Sequence, residues 1–310
     1  MSREQEFIER LRVLAVDGAA RGLLDDAAVL EFGGRKLVLT HDIIVEGVHY
    51  RADDPPADVA WKLVAVNLSD LAAKGARPIG VLVGYTLGDR DWDRAFADGL
   101  ALALAAFSVP LLGGDTVAAS APRTLTLTAI GEGEAVPSRS GAQAGDLLWV
   151  SGLIGDAGAG LAVLKGELAG DEALVRRYRA PRPRLEAGQA LAPIVTAMMD
   201  VSDGLLIDAK RLAAASAVGI EVDLDQLPLS EAFLSALGDE REARLFAASA
   251  GDDYELLFTA PPGAAPAILH LAEASGVPLS RIGRCVAGAG LVLLDVGEQL
   301  PLPERLGYEH

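Results

Sequence analysis

The chain has 310 residues, of which 51% are hydrophobic and 34 are glycine, and a formal charge of −17. That length suffices for one large or two medium cores, and the composition points away from disorder, collagen and coiled coil. The acidity excludes general nucleic-acid binding, because no basic face is available to release counterions from phosphates. Cys285 is the only cysteine, which rules out an intrachain disulfide and a cysteine-based zinc site. The polar start lacks a signal core, and the longest apolar run, residues 100–112, is too short for a bilayer. A soluble, cytoplasmic protein with no membrane or nucleic-acid partner is expected.

In chain order, Phe7, Ile8, Leu11 and Leu14 have helical spacing and predict an amphipathic helix over residues 4–16. Residues 27–32 and 36–44 read as two strands joined at Gly33-Gly34. After Pro55-Pro56, Asp58 is placed to cap a helix running to about Lys74 and stopped by Gly75. Leu63, Val66, Asn67, Asp70 and Lys74 share one face of it, so Asp70 points inward among apolar neighbours. A strand over 79–87, a helix over 91–107 and a short strand over 109–112 follow, the last ending in Gly113-Gly114-Asp115-Thr116. The alternation in 123–131 predicts a half-buried strand.

The polar, Gly/Ser-rich stretch 137–145 is the best boundary, giving domains of 1–137 and 138–310. Beyond it the patterns predict strands at 147–151, 220–224, 255–260, 281–285 and 291–294. Helices are expected around 173–178, 184–197 and 203–215. The fold class is α/β (α+β), with two halves.

No G-x-x-x-x-G-K-[ST] loop, kinase motif set, H-E-x-x-H or G-x-S-x-G occurs, and the four histidines are dispersed. What remains are carboxylates beside Ser, Thr or Gly and next to apolar runs. Asp42 lies in an apolar strand, where an ionised carboxylate needs a cation or ligand; an ordinary turn after Thr40 is the competing explanation. Asp26, Asp70, Asp115 and Asp200 recur in similar settings, with Thr40 as an added oxygen donor. Hard cations such as Mg²⁺ take such ligands together with substrate phosphates. The Gly-rich turn 152–161 has the form of a phosphate cradle, but tight packing is the better explanation. Arg139 lies near that turn. The arginines at 176, 177, 179, 182 and 184 read as a helix C-terminus. Gly251-Asp252-Asp253-Tyr254-Glu255 places two acids before a strand.

Taken together, Asp25-Asp26-Ala27-Ala28, Thr40-His41-Asp42-Ile43-Ile44-Val45-Glu46-Gly47-Val48-His49, Asn67-Leu68-Ser69-Asp70, Gly113-Gly114-Asp115-Thr116, Asp200-Val201-Ser202-Asp203-Gly204 and the segment 251–256 resemble the thiamine-monophosphate kinases. These belong to the superfamily that includes aminoimidazole ribonucleotide synthetase. The resemblance covers nearly the whole chain, and the segment 45–49 favours the thiamine branch. It implies an N-terminal α/β domain that dimerises through its sheet, a C-terminal α/β domain packed against it, and ATP between them. It further implies direct in-line transfer of the ATP γ-phosphoryl group to thiamine monophosphate, with several Mg²⁺ ions and K⁺ as a further candidate. Asp26, Thr40, Asp42, Asp70, Asp115, Asp200 and Asp203 match its metal positions, with Asp42, Asp70 and Asp115 central to catalysis. Gly114, Asp115, Arg139 and Ser202 match nucleotide contacts; His49, Asp252 and Tyr308 match substrate contacts. His41 stands where the family commonly has Thr, and Leu24 where it has Gly. A ring-closing ATP-dependent synthetase and a non-catalytic nucleotide-binding scaffold are the alternatives.

Overall fold

The computed structural model describes residues 3–120 and 122–309. Helix α1 (Arg3–Arg12) ends sooner than its apolar spacing suggests, and Val13, Leu14 and Val16 beyond it are exposed. Strands β1 (Ala28–Phe32) and β2 (Arg35–Val45) form a hairpin whose turn places Gly33 and Gly34 at φ 59° and 78°. Those angles suit glycine at both central positions. Helix α2 (Pro56–Ala73) follows, then β3 (Arg77–Leu87), α3 (Arg90–Ala106), β4 (Leu111–Ala118) and β5 (Thr124–Gly133). The five strands make one sheet in the order β1-β2-β5-β3-β4, with β3 and β4 parallel.

The second sheet comprises β6 (Leu147–Ser151), β7 (Ala197–Val201), β8 (Gly219–Asp223), β9 (Glu255–Ala260), β10 (Leu279–Val286), β11 (Gly290–Asp295) and β12 (Glu298–Leu300). Its order is β12-β11-β8-β10-β6-β9-β7, and β11 runs parallel to β8. The helices interleaved with it are α4 (Asp156–Leu164), α5 (Glu172–Arg179), α6 (Leu185–Leu191), α7 (Leu205–Ser216), α8 (Glu231–Leu237), α9 (Arg241–Ser249) and α10 (Ala265–Ser275).

Several boundaries differ from the sequence reading for identifiable reasons. Asp58 lies in the first turn of α2 rather than at its cap; Pro55 holds the cap position and makes no side-chain bond. Asp89 is a true cap, accepting from the amides of Asp91 and Trp92 at 3.1 and 2.9 Å. Gly113-Gly114-Asp115-Thr116 lies inside β4 and not in a loop after it. The predicted helix 184–197 is only α6, and the apolar run after it is β7, buried throughout. A five-residue buried strand and a buried helix turn look alike in sequence. Asp200 is therefore a strand residue, as is Asp42, since β2 continues to Val45.

The two halves meet on α2. Every residue from 62 to 76 is buried, because one side of the helix lies on the first sheet and the other on the second domain. Leu63, Val64, Leu68 and Leu71 join the first core; Ala72 and Ala73 pack with Met198, Leu191 and Phe258. Gly75 closes the helix at φ 59°, and Trp61 Nε1 donates to the Pro181 carbonyl across the junction at 2.8 Å. Gly188 of α6 touches α2 so closely that an added methyl would fall on the Ala72 carbonyl. Gly188→Ala is expected to lower the unfolding free energy by about 1–3 kcal/mol through overpacking. Urea denaturation checks this; an unchanged midpoint would show that the junction yields freely.

Candidate active site

The inward faces of β2, α2 and β7 converge on one buried patch. Asp26, Asp70 and Asp200 each bring a carboxylate oxygen to within 4.8 Å of the others. Thr40, one strand position before His41, donates its hydroxyl to Asp70. Asp42 and Asp70 are close enough that the charge of Asp42 disfavours ionisation of Asp70. Asn67 fixes β2 against α2 by accepting from the Asp42 amide at 3.1 Å, and Ser69 donates to Asp200 Oδ2 at 2.6 Å. Strand alternation accounts for the selection: Thr40 and Asp42 face the helix, and His41 between them faces outward. His41 Nδ1 lies 2.8 Å from Thr128 Oγ1 on that outer face. It therefore adds no side chain to the carboxylate cluster.

Two residues that sequence reasoning did not single out balance part of this charge. Lys74 is fully buried and pairs with Asp25, while its ammonium lies 3.1 Å from Asp26 Oδ2. Asp25 also binds Arg21 at 2.5 Å. Burial opposes its charge, but Lys74 and Arg21 together hold the carboxyl below its ordinary value. The available signals were the doubled Asp25-Asp26 and a lysine four residues after Asp70 on an apolar helix face; a buried lysine is almost always paired. Arg139 pairs with Asp26 rather than projecting into the cleft, and burial lowers its affinity for the proton.

The balance is incomplete. Asp25, Asp26, Asp42, Asp70 and Asp200 face Lys74, Arg21 and Arg139, leaving two carboxylates without a cation when all are ionised. Burial raises Asp42 and Asp200 to about 6. Asp70 is raised well above its ordinary value by burial and then by the charges of Asp42 and Asp200. Asp26 Oδ2 is buried and accepts no aligned hydrogen bond, despite its proximity to Lys74. An all-oxygen cluster with excess negative charge and an unsatisfied oxygen fits a hard divalent cation.

The patch opens into a cleft of about 650 Å³ lined by Asp42, Asp70, Asp200, Ser202, Asp203, His49, Asp252 and Tyr308, among others. His49 Nδ1 accepts the Val45 amide at 3.1 Å, which puts the ring proton of the neutral imidazole on Nε2. Asp203 is tied to Arg211 at 2.5 Å, and its carbonyl accepts the Tyr308 amide at 2.9 Å. Ser202 presents its carbonyl to the Asp252 amide at 2.8 Å. Ten of the candidate positions thus surround one cleft and the buried patch beneath it: Asp26, Thr40, Asp42, His49, Asp70, Asp200, Ser202, Asp203, Asp252 and Tyr308.

Gly114 and Asp115 stand apart. Cross-strand register puts Asp115 in line with Gly84, Thr126 and Ile43, on the face of the first sheet opposite Asp42, and its strand is exposed. Gly114 has a packing reason to be glycine, since a Cβ there would fall on the Val83 carbonyl. The Gly-rich turn after β6 is no phosphate cradle: its Gly155 amide already donates to the buried carboxyl of Asp253 at 2.9 Å. The arginines in the last turn of α5 and just beyond it are mainly structural, with Arg179 on Asp54 and Arg184 on Glu255.

The raised carboxyls make a signed prediction. Their folded values lie above the ordinary 3.8, so the stability they contribute is full below about pH 3.8 and is lost as pH rises through about 6. Mg²⁺ should therefore raise the melting temperature more at pH 7.5 than at pH 5. Asp70→Asn should abolish most of that increment while stabilising the metal-free protein at pH 7.5. Equal increments at both pH values in thermal melts would rule out these carboxyls as the cation site.

Residues 24–133 match the AIR synthase related protein, N-terminal domain, and residues 143–296 match the AIR synthase related protein, C-terminal domain. Over 305 residues the chain is 44% identical to thiamine-monophosphate kinase of Caulobacter vibrioides, covering 95% of this chain and 86% of that protein. The crystal structure of thiamine-monophosphate kinase from Stenotrophomonas maltophilia superposes with a TM-score of 0.80 at 39% identity, over 95% and 96% of the two chains. An Aquifex ThiL structure in complex with AMPPCP and TMP gives 0.84 at 29% identity, over 100% and 99%. With both domains matched and identity sustained along nearly the full length, the chain belongs to the thiamine-monophosphate kinase family of AIR synthase-related phosphotransferases.

Proposed function

We propose that this protein transfers the γ-phosphoryl group of ATP in line to the phosphate of thiamine monophosphate, giving thiamine diphosphate and ADP. The observation that carries this reading is the single cleft in which the carboxylate cluster, Ser202, His49, Asp252 and Tyr308 meet. The TMP and ATP analogue carried by the Aquifex relative support the same pair of ligands here. Asp26, Asp42, Asp70 and Asp200 would hold Mg²⁺, with Thr40 and Asp203 beside them. Bound there, the cations would neutralise the clustered phosphates and stabilise the charge that builds up during transfer.

The chain's own groups position the reactants. His49 lines the cleft on the acceptor side, and Asp252 offers a carboxylate to the cationic or amino groups of the thiamine. Tyr308 lines the cleft beside Asp203 and would meet the acceptor there. Ser202 and Arg139 serve the nucleotide phosphates, and for Arg139 this requires release from Asp26. No covalent nucleophile is needed, because the acceptor is already a phosphate oxygen.

The first half, 1–137, supplies most of the cation site and the open sheet face; the second, 138–310, completes the cleft. Ile43 and Leu82 stand half-exposed on that open face, beside Thr126, Thr128 and the outlying Asp115. A second copy covering it would give a homodimer. The setting is thiamine diphosphate biosynthesis in the cytoplasm, and K⁺ remains a candidate accessory ion.

ADP release should require thiamine monophosphate, with thiamine and no acceptor as silent controls. Asp42→Ala and Asp70→Ala should each lower turnover by roughly a hundredfold or more, since several kcal/mol of charge stabilisation is removed. Undiminished turnover in both variants would overturn the cation assignment. Light scattering should give a dimer for the wild-type protein and a monomer for Leu82→Asp; a monomeric wild type would dispose of the dimer.

A further inference from the structure

Lys62 of α2 is 2% exposed, yet it lies beneath the substrate end of the cleft. Its ammonium donates to the His49 carbonyl at 3.0 Å and to Asp252 Oδ2 at 3.1 Å, and sits 3.9 Å from the centroid of the Tyr178 ring. These three partners belong to three separate segments. His49 follows β2 in the first domain, Asp252 precedes β9 in the second, and Tyr178 lies on α5.

Asp252 is held from its other side as well. Tyr254 donates to Oδ1 at 3.1 Å, and the Asp252 amide is tied to the Ser202 carbonyl. Asp252 and Tyr254 adopt φ 70° and 50°, a left-handed backbone that non-glycine residues keep only when their surroundings enforce it. Lys62 is one of the enforcing contacts. A buried ammonium has a fixed requirement for partners, and all three of its directions are used here.

We propose that Lys62 is a positioning residue for the acceptor: from under the cleft it fixes the His49 turn and the Asp252 carboxylate at one separation across the two domains. This role rests on the reading of thiamine monophosphate as acceptor. Lys62 lines neither the carboxylate cluster nor the nucleotide side, so its influence falls on acceptor binding.

Steady-state kinetics of the full-length protein test it, with each substrate varied in turn. Lys62→Met should raise KM for thiamine monophosphate by roughly 10- to 100-fold, the loss typical of hydrogen bonds to charged groups. KM for ATP should change less than threefold or so, because Lys62 itself contacts His49, Asp252 and Tyr178 and not Ser202 or Arg139. Lys62→Arg should recover part of the acceptor affinity by restoring a charged donor. In a cycle with Asp252→Asn, the double variant should be little worse than the poorer single one, since both break one contact. Equal rises in both KM values, no gain with arginine, or additive losses would mark Lys62 as a merely structural lysine and overturn the proposal. If Lys62→Met does not fold, the arginine variant and the Asp252→Asn single variant carry the comparison. A wild-type protein without thiamine monophosphate turnover would instead overturn the functional reading, and this role with it.

Discussion

A helix buried on every side has to satisfy each of its polar side chains internally, and α2 is such a helix. It carries Lys62, Asn67, Ser69, Asp70 and Lys74 into a region where water cannot serve as partner. An unpaired polar group there costs several kcal/mol at the upper end of transfer measurements, so each becomes a tether. Asn67 binds β2, Ser69 binds β7, Lys74 reaches the loop before β1, and Lys62 joins the two halves at the cleft. One face holds the first sheet and the other the second domain. The site is assembled by this double use of a single element.

The same burial leaves the charges unbalanced. Lysine and arginine partners suffice for Asp25 and Asp26, but Asp42, Asp70 and Asp200 share too few cations and are held toward their protonated forms. A core selected only for stability would replace such a group with apolar residues of similar volume, which is often neutral or favourable. Retained buried carboxyls that raise one another's pKa are the pattern of a functional site. Stability is thus locally set against ligand binding, and a divalent cation reconciles the two.

Strain points to the same place. Among the described residues outside the N-terminal loop, Asp252 and Tyr254 are two of the few non-glycine residues with left-handed backbone, and they flank the buried Asp253. Asp253 caps the start of α4 through the Gly155 amide. The segment is held from below by α4, from the side by Ser202 and from the first domain by Lys62. A carboxylate fixed in this way is pre-oriented, so less ordering remains when a ligand arrives.

Much of the fold was legible in the chain itself. The Gly33-Gly34 hairpin, the stop at Gly75 and the alternation of β5 are local features, decided by φ preferences and a period of two. Asp42 was recognisable as anomalous because a carboxylate in an apolar strand contradicts its own neighbourhood. Asp70 stood out because helical spacing placed it among leucines. The family resemblance supplied the remaining candidates in order. Other features depended on contacts far apart in sequence, which no local pattern encodes. The helix expected over 184–197 stops at Leu191, and pairing with β9 makes Ala197–Val201 the strand β7. The glycines at 152 and 155 left a phosphate cradle as the weaker of two readings, and Glu255 and Asp253 beside them decide for packing. Asp115 matched the other acids by motif, yet strand register turned it to the opposite face. The sequence by itself determined which side chains carry the charge. Tertiary structure alone decided which of them meet, because burial and register are properties of the packed sheets and not of the segments that form them.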